Sequence, residues 1–270
     1  MEITKEMVEK YKRALSLKTD ATQETYSYIL NKFFNKVGNN IDRDSILSFI
    51  SDYPKQSRVT VYYAIKFFLK NAGIDIDIKH SEIAPKGVER IKESMTYDEV
   101  ERLINYCKTL NSYVSGIFSL STTYGLRRTE ILMVKKEDVD LENKVIKIPV
   151  LKSVESKYIH KIPDEIVPYI EIYLDRIDKV NSLKPRTLNA LFDRVCHDAG
   201  IKLRPRLGFH SIRRALVTEL RKRDASKDLV ETFMRWKPLI RSMVDVYDIK
   251  DRQNVDDRIF SIHPFLPIWK

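Results

Sequence analysis

The sequence predicts a mainly α protein with a small antiparallel β-sheet, organised as an N-terminal helical bundle followed by a larger, mostly helical domain. Three observations carry this. Apolar residues in the first ninety positions recur at helical spacing. One pair of short, alternating, β-branched runs lies near the middle of the chain. Between the two halves, from Asp75 to Ser94, the periodicity lapses among alternating charges, Pro85 and Gly87. This divides the chain into a helical domain at 1–78, a linker at 79–94, and a second domain with a C-terminal tail at 95–270.

The elements follow in order. A first helix is expected over about Lys5 to Leu15. Tyr26, Ile29, Leu30, Phe33, Phe34 and Val37 fall on one face of a second, which Gly38 stops. Asp42 to Asp52 gives a third, ended by Pro54. Ser57 to Ala72 gives a fourth, whose run Val61 to Leu69 is apolar nearly all round and marks it as the central helix. Beyond the linker, Thr96 and Glu99 form a capping box ahead of an apolar run. Helices are expected to about Leu110 and from Tyr113 to Tyr124. Val145–Val150 and Lys157–Ile162 read as a β-hairpin joined by a polar loop, with Pro149 placing the first strand at an edge or bulge. Helices then return over about Glu165–Val180, Pro185–Gly200, Ser211–Arg223, Ser226–Arg235 and Ile240–Tyr247.

Composition narrows the function. The chain has 270 residues, 43% hydrophobic and 32% charged, an ordinary globular balance that argues against disorder. No run approaches the ~18 apolar residues of a membrane span, and no leader pattern is expected at the start. Two cysteines, Cys107 and Cys196, supply neither a disulfide framework nor a four-thiolate zinc site. The chain therefore reads as intracellular, reduced and soluble. Scarce glutamine with abundant lysine and isoleucine leans towards a thermophile, an archaeon or its mobile elements. The net charge is +10, which favours a polyanionic partner. Residues 1–90 carry an excess of only +3, whereas Lys202 to Arg223 concentrates +7 around the single acid Glu219. Such focusing reads as a phosphate-facing surface.

No Walker loop, H-x-x-x-H or C-x-x-C is present, so neither nucleotide-driven nor zinc chemistry is expected, and no cofactor or metal is assigned. Asp138, Asp140 and Glu142 alternate before a strand and read as solvated rather than metal-binding. Two segments stand out: Gly125-Leu126-Arg127-Arg128-Thr129-Glu130, and His210-Ser211-Ile212-Arg213. In the second, a proton-transfer group and a guanidinium share a helix face near a helix N-terminus, a natural anion site. Arg127 follows a Gly-Leu turn from which its head can also reach an anion. Glu130, three residues on, reads either as a group holding an arginine or as a plain surface pair.

Together these segments resemble the catalytic domain of the tyrosine recombinases. That family carries an arginine in a Gly-Leu-Arg-x-x-Glu turn, matched by Arg127. Its hairpin lysine is matched by Lys152, 25 residues on, with Lys157 the alternative in the same hairpin. His-x-x-Arg is matched by His210 and Arg213, and the following His or Trp by Trp236, although Met234-Arg235 stands where the family has Leu-Gly. The nucleophilic tyrosine is matched by Tyr247. The motifs span Thr96 to Asp248; the N-terminal bundle matches the family's DNA-binding domain in size, helicity and position.

The resemblance implies a metal-free transfer of DNA strands through a 3′-phosphotyrosyl enzyme. Tyr247 attacks phosphorus, Arg127 and Arg213 clamp the non-bridging oxygens, His210 assists proton removal, Lys152 protonates the departing 5′ oxygen and Trp236 packs or donates a hydrogen bond. It implies double-stranded DNA as partner, self-association into a tetramer on it, and no membrane. The alternatives are a non-cleaving DNA-binding regulator of the same fold and a type IB-like topoisomerase. The apolar tail from Ile259 to Trp269 must be buried, either on its own domain or in a neighbouring protomer on DNA.

Overall fold

The computed structural model describes residues 2–83, 94–149, 157–236 and 252–270. The chain divides into two compact units, Met1–Arg90 and Ile91–Lys270. The last expected helix, over Ile240–Tyr247, and the hairpin loop with Lys152 lie outside the described residues.

In the first unit, α1 (Lys5–Ser16), α2 (Asp20–Val37), α3 (Arg43–Ser51) and α4 (Lys55–Ala72) form a bundle. Helix α4 packs on each of the other three, as its apolar run predicts. Val61, Tyr62, Ala64, Ile65, Phe68 and Leu69 are buried along it, while Tyr63 keeps one edge wet. Phe33 meets Phe49 edge-on at 5.1 Å and Phe34 meets Phe68 at 5.3 Å, so aromatic packing fills the space between α2, α3 and α4. A short helix, α5 (His80–Ile83), lies within the stretch where the sequence shows no helical period. Its Ile83 and the preceding Ile78 are buried against the bundle, and the Tyr62 hydroxyl donates to the Ile78 carbonyl at 2.9 Å. One turn of helix is too short to register as a period; burial of two isoleucines holds it.

In the second unit, α6 (Tyr97–Thr109) begins with the expected capping box: the Glu99 amide donates to Thr96 Oγ1 at 3.2 Å and the Thr96 amide to Glu99 Oε2 at 2.9 Å. Helix α7 (Tyr113–Tyr124) is buried from Ser115 to its end and packs against α6, α9 (Val167–Leu174) and α12 (Phe209–Lys222). Around it lie α8 (Arg128–Met133), α10 (Ile177–Asn181), α11 (Pro185–Asp198), α13 (Lys227–Phe233) and α14 (Arg252–Ser261). The expected helix over Glu165–Val180 is divided: a 3-10 turn at Asp164–Ile166 leads into α9, and the chain breaks at Asp175–Arg176 before α10. The break lets Ile170 and Tyr173, then Ile177 and Val180, all bury.

The sheet runs β1 (Val139–Asp140), β2 (Val145–Pro149), β3 (Lys157–Lys161), all antiparallel. Ile146 faces His160 and Ile148 faces Tyr158, so one face of the hairpin is buried. Two expectations are corrected here. Strand β2 is the middle strand, not an edge; β1 pairs only with Val145 and Ile146, so at Pro149 nothing flanks β2 except β3, and its missing N–H breaks no β1 bond. Asp138 is not solvated: it is 2% exposed, accepts from the Lys135 amide at 3.0 Å and pairs with Lys157 Nζ.

The C-terminal tail packs on its own unit, the first of the two placements expected for it. Phe265, Leu266 and Trp269 are buried, and the Trp269 indole N–H donates to Thr122 Oγ1 at 3.0 Å. His263 Nδ1 accepts from the Phe265 and Leu266 amides, which leaves Nε2–H to donate to the Thr123 carbonyl at 3.0 Å. The polar groups of the tail thus find partners on α7 in cis.

Candidate active site

The site forms where the end of α7, the start of α8 and the start of α12 meet. Gly125 ends α7 in the left-handed region, with φ of 59°, and turns the chain so that Leu126 buries and Arg127 caps α8. A Cβ at Gly125 would lie 2.6 Å from the terminal methyl of Met234, a flexible end that can turn aside, so it is the left-handed backbone that calls for glycine. Arg127 pairs with Glu130 through its guanidinium, and its amide donates to Glu130 Oε2 at 2.8 Å. Glu130 is 1% exposed. It is therefore no surface pair; it is the buried anchor of Arg127.

Arg213, one turn into α12, is buried as well. Its two terminal nitrogens donate to the Gly125 carbonyl and the Met234 carbonyl, each at 2.5 Å. The Trp236 ring lies over its guanidinium, 5.5 Å away. His210 sits one turn earlier on the same face. Together with Arg127, Arg128, Thr129, Asn189, Gly208 and Phe209 it lines an open pocket of about 340 Å³. Arg128 Nη1 donates to Asn189 Oδ1 at 2.9 Å, so this second arginine of the turn is directed to α11.

The electrostatics follow from crowding cations around one carboxylate. Burial raises the Glu130 carboxyl, but Arg235, the Arg127 amide and the Arg127 and Arg213 guanidinium groups outweigh it and hold the carboxyl below its ordinary range. Burial, with Arg235 and Arg127 adding repulsion, lowers Arg213 to about 9, which still leaves it cationic at neutral pH. His210 titrates below the usual histidine range, chiefly through desolvation and then through Arg214, Arg213 and Arg127. It is therefore neutral at pH 7 and able to accept a proton.

Arg127, His210, Arg213 and Trp236 are thus gathered at one place; Lys152 and Tyr247 lie outside the described residues. The alternative hairpin lysine, Lys157, is held at the loop end of β3 by the buried Asp138. The concentrated charge from Lys202 to Arg223 is partly paired, although Lys202, Arg206, Arg221 and Lys222 remain exposed. Arg204 clamps Glu99 at 2.6 and 3.0 Å and donates to the Ser94 carbonyl, Arg221 donates to the Ala225 carbonyl, and Lys222 and Arg223 both pair with Glu219. These contacts commit Arg204 to its own unit and leave the exposed cations of the segment on the surface.

Sequence reasoning missed Arg235, His160 and Asp256. All three are buried beneath the site, and Arg235 lies 3.6 Å from Glu130. The one signal was Met234-Arg235 ahead of Trp236, an arginine at a turn that favours glycine.

Comparison with known proteins gives the family and the fold. The model of the phage integrase family matches residues 93–253, more than half of the chain. The tyrosine recombinase XerA of Thermococcus onnurineus is 26% identical over 231 residues, covering 78% of this chain and 81% of its own. Among solved structures, XerH bound to its palindromic difH substrate in a post-cleavage complex matches with a TM-score of 0.64 at 18% identity, covering 88% of this chain and 80% of that one. A lambda integrase tetramer bound to a Holliday junction matches with a TM-score of 0.61 at 14% identity, covering 90% and 76%. At such identities the structural matches establish the fold. No helix among the described residues is long and apolar enough to cross a membrane.

Proposed function

Because the chain belongs to the phage integrase family, that of the tyrosine recombinases, we propose that it cuts and rejoins duplex DNA at specific sites through a covalent 3′-phosphotyrosyl intermediate. The observation that carries the chemistry is the convergence of Arg127 and Arg213 from different elements, with His210 beside them. A phosphodiester in line with both guanidinium groups would have its non-bridging oxygens neutralised as charge develops in the transition state. Both arginines are fixed before substrate arrives, Arg127 by Glu130 and Arg213 by two carbonyls, so little reorganisation remains for the reaction.

Tyr247 is the nucleophile in this reading. A phenol of pKa ~10 needs its proton removed during attack, and neutral His210 is suited to receive it or to hold the phosphate. Lys152 is the acid for the 5′ leaving oxygen; Lys157, committed to Asp138, is the weaker candidate. The phosphotyrosyl bond conserves the energy of the broken phosphoester, so religation needs neither nucleotide nor metal. The helical unit at the N-terminus would act as the DNA-binding domain, and paired sites would be brought together by a tetramer. XerH and lambda integrase are bound to DNA in their structures, and lambda integrase there is a tetramer. The natural setting for such an enzyme is the cell interior, on chromosomal or mobile-element DNA.

A nicked duplex that loses its 5′ product traps the covalent complex. The wild-type protein should give a denaturant-resistant adduct; Tyr247→Phe should bind the same DNA and give none. An adduct with Phe at 247 would remove Tyr247 from the role. No adduct from the wild type on any attachment-like duplex would favour the non-cleaving regulator, and relaxation of supercoils without a paired site would favour the topoisomerase.

A further inference from the structure

Arg235 has an unusual position. Its backbone is left-handed, with φ of 58°, a region that side chains beyond Cβ avoid. Its guanidinium is fully buried, and its Nε–H has no hydrogen-bond partner. A buried ion pair seldom stabilises a fold better than apolar packing does, and left-handed backbone is least strained as glycine. Arg235 is thus a costly residue for mere stability, and it immediately precedes Trp236.

Its contacts show what it does instead. Nη2 donates to the Tyr124 carbonyl at 3.0 Å and Nη1 to the Phe233 carbonyl at 3.3 Å. Arg213 donates to the very next carbonyl in each case, Gly125 and Met234. Two guanidinium groups therefore share the same pair of turns, each turn held by one bond from each. Nη2 also lies 3.6 Å from Glu130 Oε2, so the carboxylate that anchors Arg127 has a second cation on its other side. Nη1 further meets His160 Nε2 at 3.2 Å, and His160 Nδ1 meets Asp256 Oδ1 at 2.8 Å. A guanidinium can only donate, so His160 accepts at Nε2 and carries its proton on Nδ1, towards Asp256. Asp256 also accepts from the Lys161 amide at 2.7 Å. It lies on α14, nine positions after Tyr247 in sequence.

We propose that Arg235 is the positioning residue for both phosphate-clamping arginines, setting Arg213 through the shared turns and Arg127 through Glu130, and tying them through His160 and Asp256 to the helix that follows the nucleophile segment. The proposal rests on the recombinase reading above. Misplacing a clamp by about an ångström costs on the order of a hundredfold in rate, and this sets the expected effect.

The test is single-turnover cleavage of the nicked duplex, with DNA affinity and thermal unfolding measured on the same samples. R235M keeps the length of the side chain without its charge. It should bind DNA within about threefold of wild type and cleave about a hundredfold more slowly. R235K restores a cation that can reach Glu130 or the Tyr124 carbonyl and should recover at least about a tenth of the lost rate. If R235M does not melt cooperatively, R235G, which relieves the left-handed backbone, takes its place with the same expected loss. Cleavage by R235M or R235G within about threefold of wild type overturns the proposal. So does R235K cleaving no faster than R235M, since charge would then play no part. A wild-type protein that forms no adduct overturns the recombinase reading itself, an outcome distinct from an active wild type with equally active variants.

Discussion

The two units bury different chemistry. In the first, Phe33, Ile46, Ala64 and Phe68 are sealed from solvent, and no charged side chain is buried among the described residues. In the second, Glu130, Asp138, Arg213, Arg235 and Asp256 are all buried alongside a comparably dense apolar core. An apolar core has only volume to satisfy, so it specifies shape. Buried charges must also meet partners in fixed directions, so they specify orientation, at little or no gain in stability. Glu219 is buried too, and four of these six, Glu130, Arg213, Arg235 and Asp256, surround the arginine site, where their contacts fix orientation. The contrast separates a unit built to be a stable platform from one built to hold groups at set angles.

The largest effect expected from breaking this arrangement concerns the tail. Ending the chain after Arg258 removes Ile259, Phe265, Leu266 and Trp269 from the second core. At about 2–3 kcal/mol for each large apolar side chain, the loss approaches the whole stability of a domain. The melting transition of the second unit should disappear while the helical signal of the first persists. A truncated protein that keeps both transitions would show that the tail is an accessory to its own unit.

A smaller effect tests charge against volume. Glu130→Leu leaves Arg127 and Arg235 without their carboxylate and should cost about 3–5 kcal/mol in denaturant unfolding. Ile65→Leu, an equally buried change in the first unit, should cost less than about 1.5 kcal/mol. Equal costs would erase the distinction between the cores.

Acid should act on the second unit first. Burial holds His263 neutral, at about 3 against 6.5 for a free histidine. Above pH 6.5 both folded and unfolded states are neutral there, and its contribution is intact. As pH falls from 6.5 towards 3, the unfolded chain takes up a proton that the folded chain refuses. Stability then declines by up to about 1.4 kcal/mol per pH unit, and the lowered His210 adds in the same direction. Unfolding measured across this range should show the slope, and His263→Gln should flatten most of it.

The smallest contrast compares two left-handed glycines. Gly73 ends α4 with open space around its missing Cβ, whereas Gly125 faces Met234 at 2.6 Å. Both alanine variants are strained by the backbone, by about 1 kcal/mol. The Met234 methyl that Gly125→Ala would meet ends a flexible side chain, so the two variants should differ in stability by less than about 1.5 kcal/mol, and Gly125→Ala alone should slow DNA cleavage, since Arg213 bonds that same residue.

What could be read from the chain alone follows the same division. In the first unit α1, α3 and α4 fall within about two residues of their expected bounds and α2 ends where Gly38 stops it, because a bundle's apolar stripe is written locally at i, i+3 and i+4. The capping box at Thr96, the span Tyr113–Tyr124 and the hairpin register are local as well. The arginines 127 and 213, His210 and Trp236 were legible through motifs. The arrangement beneath them was not: His160 lies 75 positions from Arg235 and 96 from Asp256, and no periodicity joins residues so far apart. Asp138 looked solvated because its partner, Lys157, arrives from across the hairpin. The pairing of Arg204 within the Lys202–Arg223 segment was hidden because Glu99, which takes it up, lies more than a hundred positions away.

The stacking of Trp236 on Arg213 has an optical consequence. The chain has only two tryptophans. Trp269 is 2% exposed and bonded to Thr122, whereas Trp236 is 46% exposed. A neutral collisional quencher such as acrylamide therefore reaches one indole and not the other, and the accessible one lies 5.5 Å from Arg213, the cation that the proposed reaction sets on the phosphate. Intrinsic fluorescence of the unlabelled protein divides cleanly into a constant interior emission and a variable emission from the site. Occupation of the arginine pair by a phosphodiester can be followed in real time, with no dye attached to protein or DNA.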